Sequence, residues 1–258
     1  MCRLFGLTAG ATRVSATFWL LDAPDSLSRQ SRQNPDGTGL GTFDERGRPL
    51  VEKQALAAYD DADFAREAKE RRSSTFVAHV RRSSGTPIAL RNTHPFVLDG
   101  RIFAHNGVLD DVAAVERLLG PELARVQGDT DSERVAVLVA REVRDAATVT
   151  EGVLAAARLL APLSAHSINF LLSTADELWA FRYPAQHGLY LLDRRRPSEP
   201  LQHRSSLSRV ESSHLGLEPS VVVASERLDD DAWEELGVGE LVHVRPDLSI
   251  ERVDALTG

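Results

Sequence analysis

Hydrophobic and polar positions change period several times along the chain, and each change marks an element. Residues 2–8, Cys-Arg-Leu-Phe-Gly-Leu-Thr, form a short apolar run that predicts a buried strand. A second apolar stretch covers 14–21, with Val14, Phe18, Trp19, Leu20 and Leu21. The pattern then breaks. Residues 22–41 contain Asp-Ala-Pro, a Ser/Arg/Gln run and Asn34-Pro35-Asp36-Gly37, which read as a long surface loop. Gly37-Thr38-Gly39-Leu40-Gly41 leads into a strand ending near Phe43, followed by a hairpin-like turn at 44–47. Charged residues with Ala and Phe spacing predict an exposed helix over 60–72, and Ser74–Val80 reads as a strand. Residues 88–95 are irregular. Phe96–Leu98 and Arg101–Ala104 predict a hairpin turning at Asp99-Gly100.

Helical periodicity dominates the middle of the chain. Asp110 is placed to cap a helix over 111–119, with Val112, Val115, Leu118 and Leu119 on one side. Asp131 or Ser132 opens a stronger helix to about Arg144, with Val135, Leu138, Val139 and Val143 inward. Another covers 151–161 and stops before Pro162. The last hundred residues read as short strands at 167–173, 177–183, 188–193, 220–225 and 240–245, with an irregular Arg/Ser/Pro-rich excursion at 194–214. Strands, then helices, then strands, with no repeat and no biased linker, predict a single layered α+β domain over 1–258.

Composition narrows the partners. The formal charge is −8, and of the basic residues only Lys53 and Lys69 are lysines. A net-negative chain lacks the electrostatic term that drives phosphate-backbone binding, so no nucleic-acid partner is expected. No apolar run approaches the roughly 18 residues of a membrane span, and residues 1–7 lack a signal-peptide core. One cysteine excludes an internal disulfide and a thiolate zinc site, which predicts a reducing, cytoplasmic setting.

That cysteine stands beside the initiator, at position 2. Two readings are open. It is a small buried hydrophobe of the first strand, or initiator removal exposes it as the first residue. In the second case one residue carries a thiol and an α-amine of pKa about 7.7–8.0, a nucleophile and a general base together. Such a nucleophile needs an oxyanion hole and a substrate clamp. Arg81, at the end of a strand-like run and before Ser83-Ser84-Gly85, is either a surface arginine or a guanidinium fork for a carboxylate. Asn106-Gly107 is either a turn or an oxyanion-binding pair of side-chain amide and backbone N–H. Asp131 is either a helix cap or a carboxylate for a substrate ammonium. Glu133 reads as a first-turn acid only. His79, His94 and His105 lack metal-ligand spacing and read as hydrogen-bonded scaffold, so no metal is expected. Gly37–Gly41 precedes a strand and does not open a helix, which excludes a dinucleotide loop and suits a loop passing close to substrate. Trp19, Trp179 and Trp233 read as packing residues.

The chain resembles the class II glutamine amidotransferases, which are N-terminal-nucleophile hydrolases. The residues that carry the resemblance are Met1-Cys2-Arg3-Leu4-Phe5-Gly6, His79-Val80-Arg81, Asn92-Thr93-His94-Pro95-Phe96, His105-Asn106-Gly107 and Asp129-Thr130-Asp131-Ser132-Glu133, in the family's order. They span 2–133, and Val222–Glu226 with the acidic run 229–231 and Trp233 extend the likeness. The short stand-alone branch, which includes the γ-glutamyl hydrolase of ergothioneine synthesis, is the most similar in kind. The resemblance implies an αββα sandwich, no cofactor, and site roles. Cys2 would be the nucleophile, Asn106 and Gly107 the oxyanion hole, Arg81 with Ser84 the α-carboxylate clamp, and Asp131 the α-ammonium partner. Gly85 and Thr38 depart from the pattern, where histidine and tryptophan are common, so the lid over the substrate is expected to differ.

Three functions follow as expectations. The first is an amidohydrolase that cleaves glutamine or a γ-glutamyl conjugate through a thioester and releases glutamate. The second is a glutaminase subunit that passes ammonia to a separate acceptor enzyme. The third is a catalytically silent interaction protein on the same fold. The amine half of a conjugate is expected to contact loops near 22–41 and 185–214.

Overall fold

The computed structural model describes residues 2–163, 166–197, 202–204, 209–211 and 218–257. Its strands are β1 Arg3–Thr8, β2 Thr38–Phe43, β3 Pro49–Gln54, β4 Thr75–Val80, β5 Phe96–Leu98, β6 Arg101–Val108, β7 Ser167–Ser173 and β8 Leu178–Phe181. There follow β9 Tyr190–Arg194, β10 Gln202–Arg204, β11 Arg209–Glu211, β12 Ser220–Ala224, β13 Glu234–Glu235, β14 Glu240–Val244 and β15 Ile250–Asp254. The α-helices are α1 Leu27–Gln30, α2 Ala62–Glu70, α3 Val112–Leu119, α4 Asp131–Asp145 and α5 Val149–Leu160.

Two antiparallel sheets carry most of these strands. One is seven-stranded, in the order β13-β9-β12-β1-β4-β2-β3; the other is six-stranded, β15-β14-β8-β7-β6-β5. Side-chain alternation divides the apolar residues into three cores. Phe5, Leu7, Phe76, Ala78 and Val80 face outward from the first sheet, against Phe18, Trp19, Leu27 and Phe64 of its helical cover. Leu4, Val77, Ile102, Ala104, Leu171 and Val223 fill the space between the sheets. Phe103, Ile168, Phe170 and Trp179 face outward from the second sheet, against Val135, Leu138, Val139 and Val153 of α4 and α5. The order of layers is therefore helix, sheet, sheet, helix, the expected αββα sandwich.

Several local expectations are corrected. Residues 22–41 are not a bare surface loop. Ser26 caps α1 by accepting from the Arg29 N–H, and the Asn34 Nδ2 donates to the Gln30 carbonyl at 2.9 Å. Leu27, Ser31 and Asn34 are buried; Ser31 Oγ donates to the Ser28 carbonyl and accepts the Tyr59 N–H, which ties the segment to residues outside it. Asp111, not Asp110, caps α3 by accepting from Ala114 N–H; Asp110 turns instead to His166 at 2.8 Å. α4 opens at Asp131 as expected, and Thr130, not Asp131, caps it. Thr148 and Glu151 form a capping box that starts α5 at Val149, two residues earlier than expected. Of the excursion at 194–214, residues 198–201, 205–208 and 212–214 lie outside the described residues, and β10 and β11 pair as a two-stranded ribbon.

Candidate active site

The same alternation decides what meets at one end of the space between the sheets. Cys2 precedes β1 in phase with Leu4, so it lies on the inter-sheet side. On β6, Ile102 and Ala104 face inward, which puts Asn106 inward as well and turns His105 toward α4. On β4 the phase of Val77 carries His79 and Arg81 to the same side. A pocket of about 220 Å³ opens there. Among its lining residues are Cys2, Arg81, Ser84, Asn106, Gly107 and Asp131, the six positions singled out in the sequence.

Asn106 and Gly107 do not form a turn. β6 runs on to Val108, and β7 pairs Asn169 with Asn106 and Ile168 with Gly107. Long-range pairing has overridden the local turn signal of the dipeptide. The Asn106 Nδ2 donates to the Cys2 carbonyl at 2.8 Å, which ties the end of β1 to β6 across the two sheets. Its second amide hydrogen remains for a ligand. Gly107 has no room for a side chain: a Cβ there would stand 1.8 Å from the Ser167 carbonyl oxygen and 2.6 Å from His105 Nε2.

Cys2 keeps some solvent contact. Its Sγ accepts the Arg82 N–H at 3.3 Å and lies 3.4 Å from the Arg82 carbonyl. Protein packed around the thiol pushes its pKa up, and the Arg82 N–H and the Arg81 guanidinium offset part of that rise. The resting sulfur is therefore a thiol that needs a base.

Arg81 is buried at 3% exposure. Its Nη2 donates to Thr86 Oγ1 at 2.6 Å and to Ser83 Oγ at 3.3 Å, and Nη1 reaches the Asp36 carbonyl at 3.4 Å. Asp36 also accepts the Ser83 N–H at 2.8 Å, so the Asn-Pro-Asp-Gly segment braces the loop after β4. Ser84 sits exposed on the pocket rim, while Thr86 and Ser83 make the direct contacts with Arg81. The sequence reading missed Thr86 and Asp36.

Asp131 is the first residue of α4 and does not cap it. Oδ2 accepts the Leu109 N–H and Oδ1 the Ser132 N–H, at 2.9 and 2.8 Å. Glu133 is more than a first-turn acid. It is buried and accepts the N–H groups of Gln127 and Gly128, while Asn92 accepts the Asp129 N–H and donates to its carboxylate. These bonds fold the turn that presents Asp131.

Two further expectations fail. Gly39 and Gly41 serve packing between the sheets, not a substrate loop. A Cβ on Gly39 would lie 2.0 Å from the His94 carbonyl oxygen, and one on Gly41 3.2 Å from Pro95. The scaffold reading of the histidines fails only for His94: its ring stacks on His79 with centroids 4.1 Å apart and its two ring nitrogens have no described partner, whereas His79 bonds the His105 backbone and His105 Nδ1 meets Ser132 Oγ. Burial, with nearby positive charge, lowers the pKa of His79 to about 3 and that of His94 well below its ordinary value. The unfolded chain binds protons near pH 6.5 that the folded chain refuses. Stability is therefore full above about pH 6.5 and falls as pH drops toward 3, by up to about 1.4 kcal/mol per pH unit for each such histidine. Urea midpoints between pH 7.5 and 5, where few carboxylates titrate, are expected to fall with acid. His79→Leu is expected to flatten that slope by about one proton, and an unchanged slope would contradict the assignment.

A family model for class II glutamine amidotransferases matches residues 1–252. The chain belongs to the class II glutamine amidotransferases. It is 36% identical over 120 residues to the gamma-glutamyl-hercynylcysteine sulfoxide hydrolase of Mycobacterium tuberculosis, covering 43% of this chain and 50% of that protein. The glutamine phosphoribosylpyrophosphate amidotransferase of B. subtilis superposes with a TM-score of 0.69 at 17% identity, over 100% of this chain and 50% of that one. The chain thus spans about half the length of both. A class II domain protein from Silicibacter pomeroyi superposes with a TM-score of 0.64 at 19% identity, over 98% and 99% of the two chains. These structural likenesses carry the N-terminal-nucleophile hydrolase fold. Among the described residues of this class II amidotransferase, no helix is long and apolar enough to cross a membrane.

Proposed function

We propose that this protein hydrolyses the γ-amide of glutamine or of a γ-glutamyl conjugate through a thioester on Cys2, releasing glutamate. The observation that carries the reading is the convergence of Cys2, Arg81, Asn106, Gly107 and Asp131 on one pocket, from segments up to 129 positions apart in the chain.

With the initiator removed, the Cys2 α-amine takes the thiol proton that burial holds in place. The thiolate attacks the γ-carbonyl carbon, and charge builds on its oxygen. The free hydrogen of the Asn106 amide and the Gly107 N–H stabilise that oxyanion. Collapse breaks the C–N bond, and the α-ammonium of Cys2 returns the proton to the departing amine. Water, deprotonated by the same amine, cleaves the thioester to glutamate and restores the thiol. Arg81 holds the substrate α-carboxylate, with Ser84 at the rim, and Asp131 holds the α-ammonium. The protonated thiol supports a mechanism in which the nucleophile carries its own base.

The test is glutamate release from glutamine, γ-glutamylglycine and γ-glutamyl-p-nitroanilide, combined with intact mass before and after a glutamine-like electrophile. The expected mass is that of a chain starting at Cys2, with one adduct that Cys2→Ser abolishes. No adduct and no turnover on any of the three would refute the reading. Turnover of glutamine only when an acceptor enzyme is added would assign the ammonia-delivering role instead. Arg81→Lys keeps the charge but loses the fork and the Thr86 contact. It is expected to raise KM by roughly 10–100-fold, with a much smaller fall in kcat, in steady-state kinetics.

A further inference from the structure

We propose that Ser132 and His105 are positioning residues that set the aim of the Asp131 carboxylate at the substrate ammonium. The proposal rests on the role given to Asp131 above.

The Ser132 hydroxyl stands between two groups. Its Oγ lies 2.9 Å from His105 Nδ1 and 3.4 Å from Asp131 Oδ1. Both side chains are buried, Ser132 at 6% and His105 at 1% exposure. The helix does not need this hydroxyl. Thr130 already caps α4 by accepting the Glu133 N–H, and the Ser132 N–H is already spent on Asp131. The hydroxyl instead joins α4 to β6 at the residue next to Asn106. One end of the chain of contacts is the strand that carries the oxyanion donors. The other end is the carboxylate that meets the ammonium.

Each Asp131 oxygen accepts one backbone N–H, and lone pairs remain on both; among the described residues Ser132 Oγ is the side-chain group placed to add to these bonds, and the carboxylate is half-buried. With the ring hydrogen on Nδ1, His105 donates to Ser132 Oγ and the hydroxyl donates onward to Asp131. With it on Nε2, the hydroxyl donates to Nδ1. Only the first tautomer gives Oδ1 a hydrogen bond, so the positioning role requires the ring hydrogen on Nδ1. His105 is itself held in place, since its Nε2 lies against the backbone of Gly107 with no space for a Cβ between them. Oxyanion hole and ammonium clamp are thereby kept in register by one buried side-chain bridge.

The experiment uses a matched substrate pair, γ-glutamyl-p-nitroanilide and glutaryl-p-nitroanilide, which differ only in the α-amine. In the wild-type enzyme the first is expected to have the lower KM, and Asp131→Asn is expected to collapse that difference. Ser132→Ala is expected to raise KM for the γ-glutamyl compound about 3–10-fold, the loss of one hydrogen bond, with kcat changed less than twofold. It is expected to leave kcat/KM for the glutaryl compound unchanged. Ser132→Thr is expected to restore the wild-type KM, and His105→Asn combined with Ser132→Ala to be no worse than Ser132→Ala alone. Equal penalties of Ser132→Ala on both substrates would overturn the proposal while leaving the proposed function standing. Failure of Asp131→Asn to affect the difference would remove the role of Asp131 and the proposal with it. No turnover of either anilide, glutamine or γ-glutamylglycine by the wild-type enzyme would refute the function itself.

Discussion

Cys2→Ala is expected to reduce γ-glutamyl amide hydrolysis by about 10⁴-fold or more, with an unchanged fold. The size follows from what the substitution removes: the sulfur that forms the thioester, with no second thiol among the pocket-lining residues. The fold is insensitive because Cys2 precedes β1 and lies at the edge of the inter-sheet core. Circular dichroism and the melting temperature should match wild type within a few degrees. A companion form that keeps the initiator separates the sulfur from the amine. It retains the thiol, whose pKa burial holds up, but lacks the base on the same residue. It should be nearly as inactive as Cys2→Ala. A fully active form with its first methionine attached would remove the amine from the mechanism.

Gly107→Ala is the second large effect, and here fold and chemistry are both hit. The added Cβ would stand 1.8 Å from the Ser167 carbonyl oxygen and 2.5 Å from its carbon, atoms of the paired strand that no rotamer change can move. β6 must tilt from β7 at a residue that lines the pocket and whose N–H is the proposed oxyanion donor. Overpacking of this kind costs typically about 1–3 kcal/mol, or roughly 2–12 °C in melting temperature for a chain of this size. Displacing one oxyanion donor costs a further 10²–10³-fold in kcat. Both losses should appear together, in thermal melts and in saturating-substrate rates. A variant that melts early yet turns over at the wild-type rate would show that this N–H does not hold the oxyanion.

Much of the sandwich was readable in the chain because alternation is a local signal. β1, β4 and β6 announce themselves by period, and the phase of Leu4, Val77 and Ala104 already decides which neighbours point inward. Asn106-Gly107 stayed open between a turn and a site because the dipeptide is a local turn signal, and only pairing with Asn169 and Ile168, some sixty positions on, excludes the turn. Asp131 read equally well as a cap because the same residue type serves both as a cap and as the proposed ligand; the Thr130 contact with Glu133 removes the cap reading. Thr86, Asp36 and Ser132 were invisible as site residues. Their significance lies in contacts with Arg81, Ser83 and His105, and nothing in a run of serines and threonines tells which hydroxyl turns inward. His94, stacked on His79 with neither ring nitrogen partnered, was misread for the opposite reason, since a histidine looks the same in sequence whether or not its nitrogens find partners.

β1 lies in the middle of its sheet, and one of its two neighbours comes far later in the chain: the Leu4 N–H donates to Ser225 Oγ, 221 positions on. At translation rates of about 5–20 residues per second, the leading segment waits roughly 10–45 s for that neighbour to emerge from the ribosome. β4, which pairs Arg3 with Val80, emerges earlier, so during that interval β1 is held along one edge only. The sheet around Cys2 is completed late in synthesis, so in the mechanism proposed above the trimming of the initiator has time to precede the enclosure of the thiol.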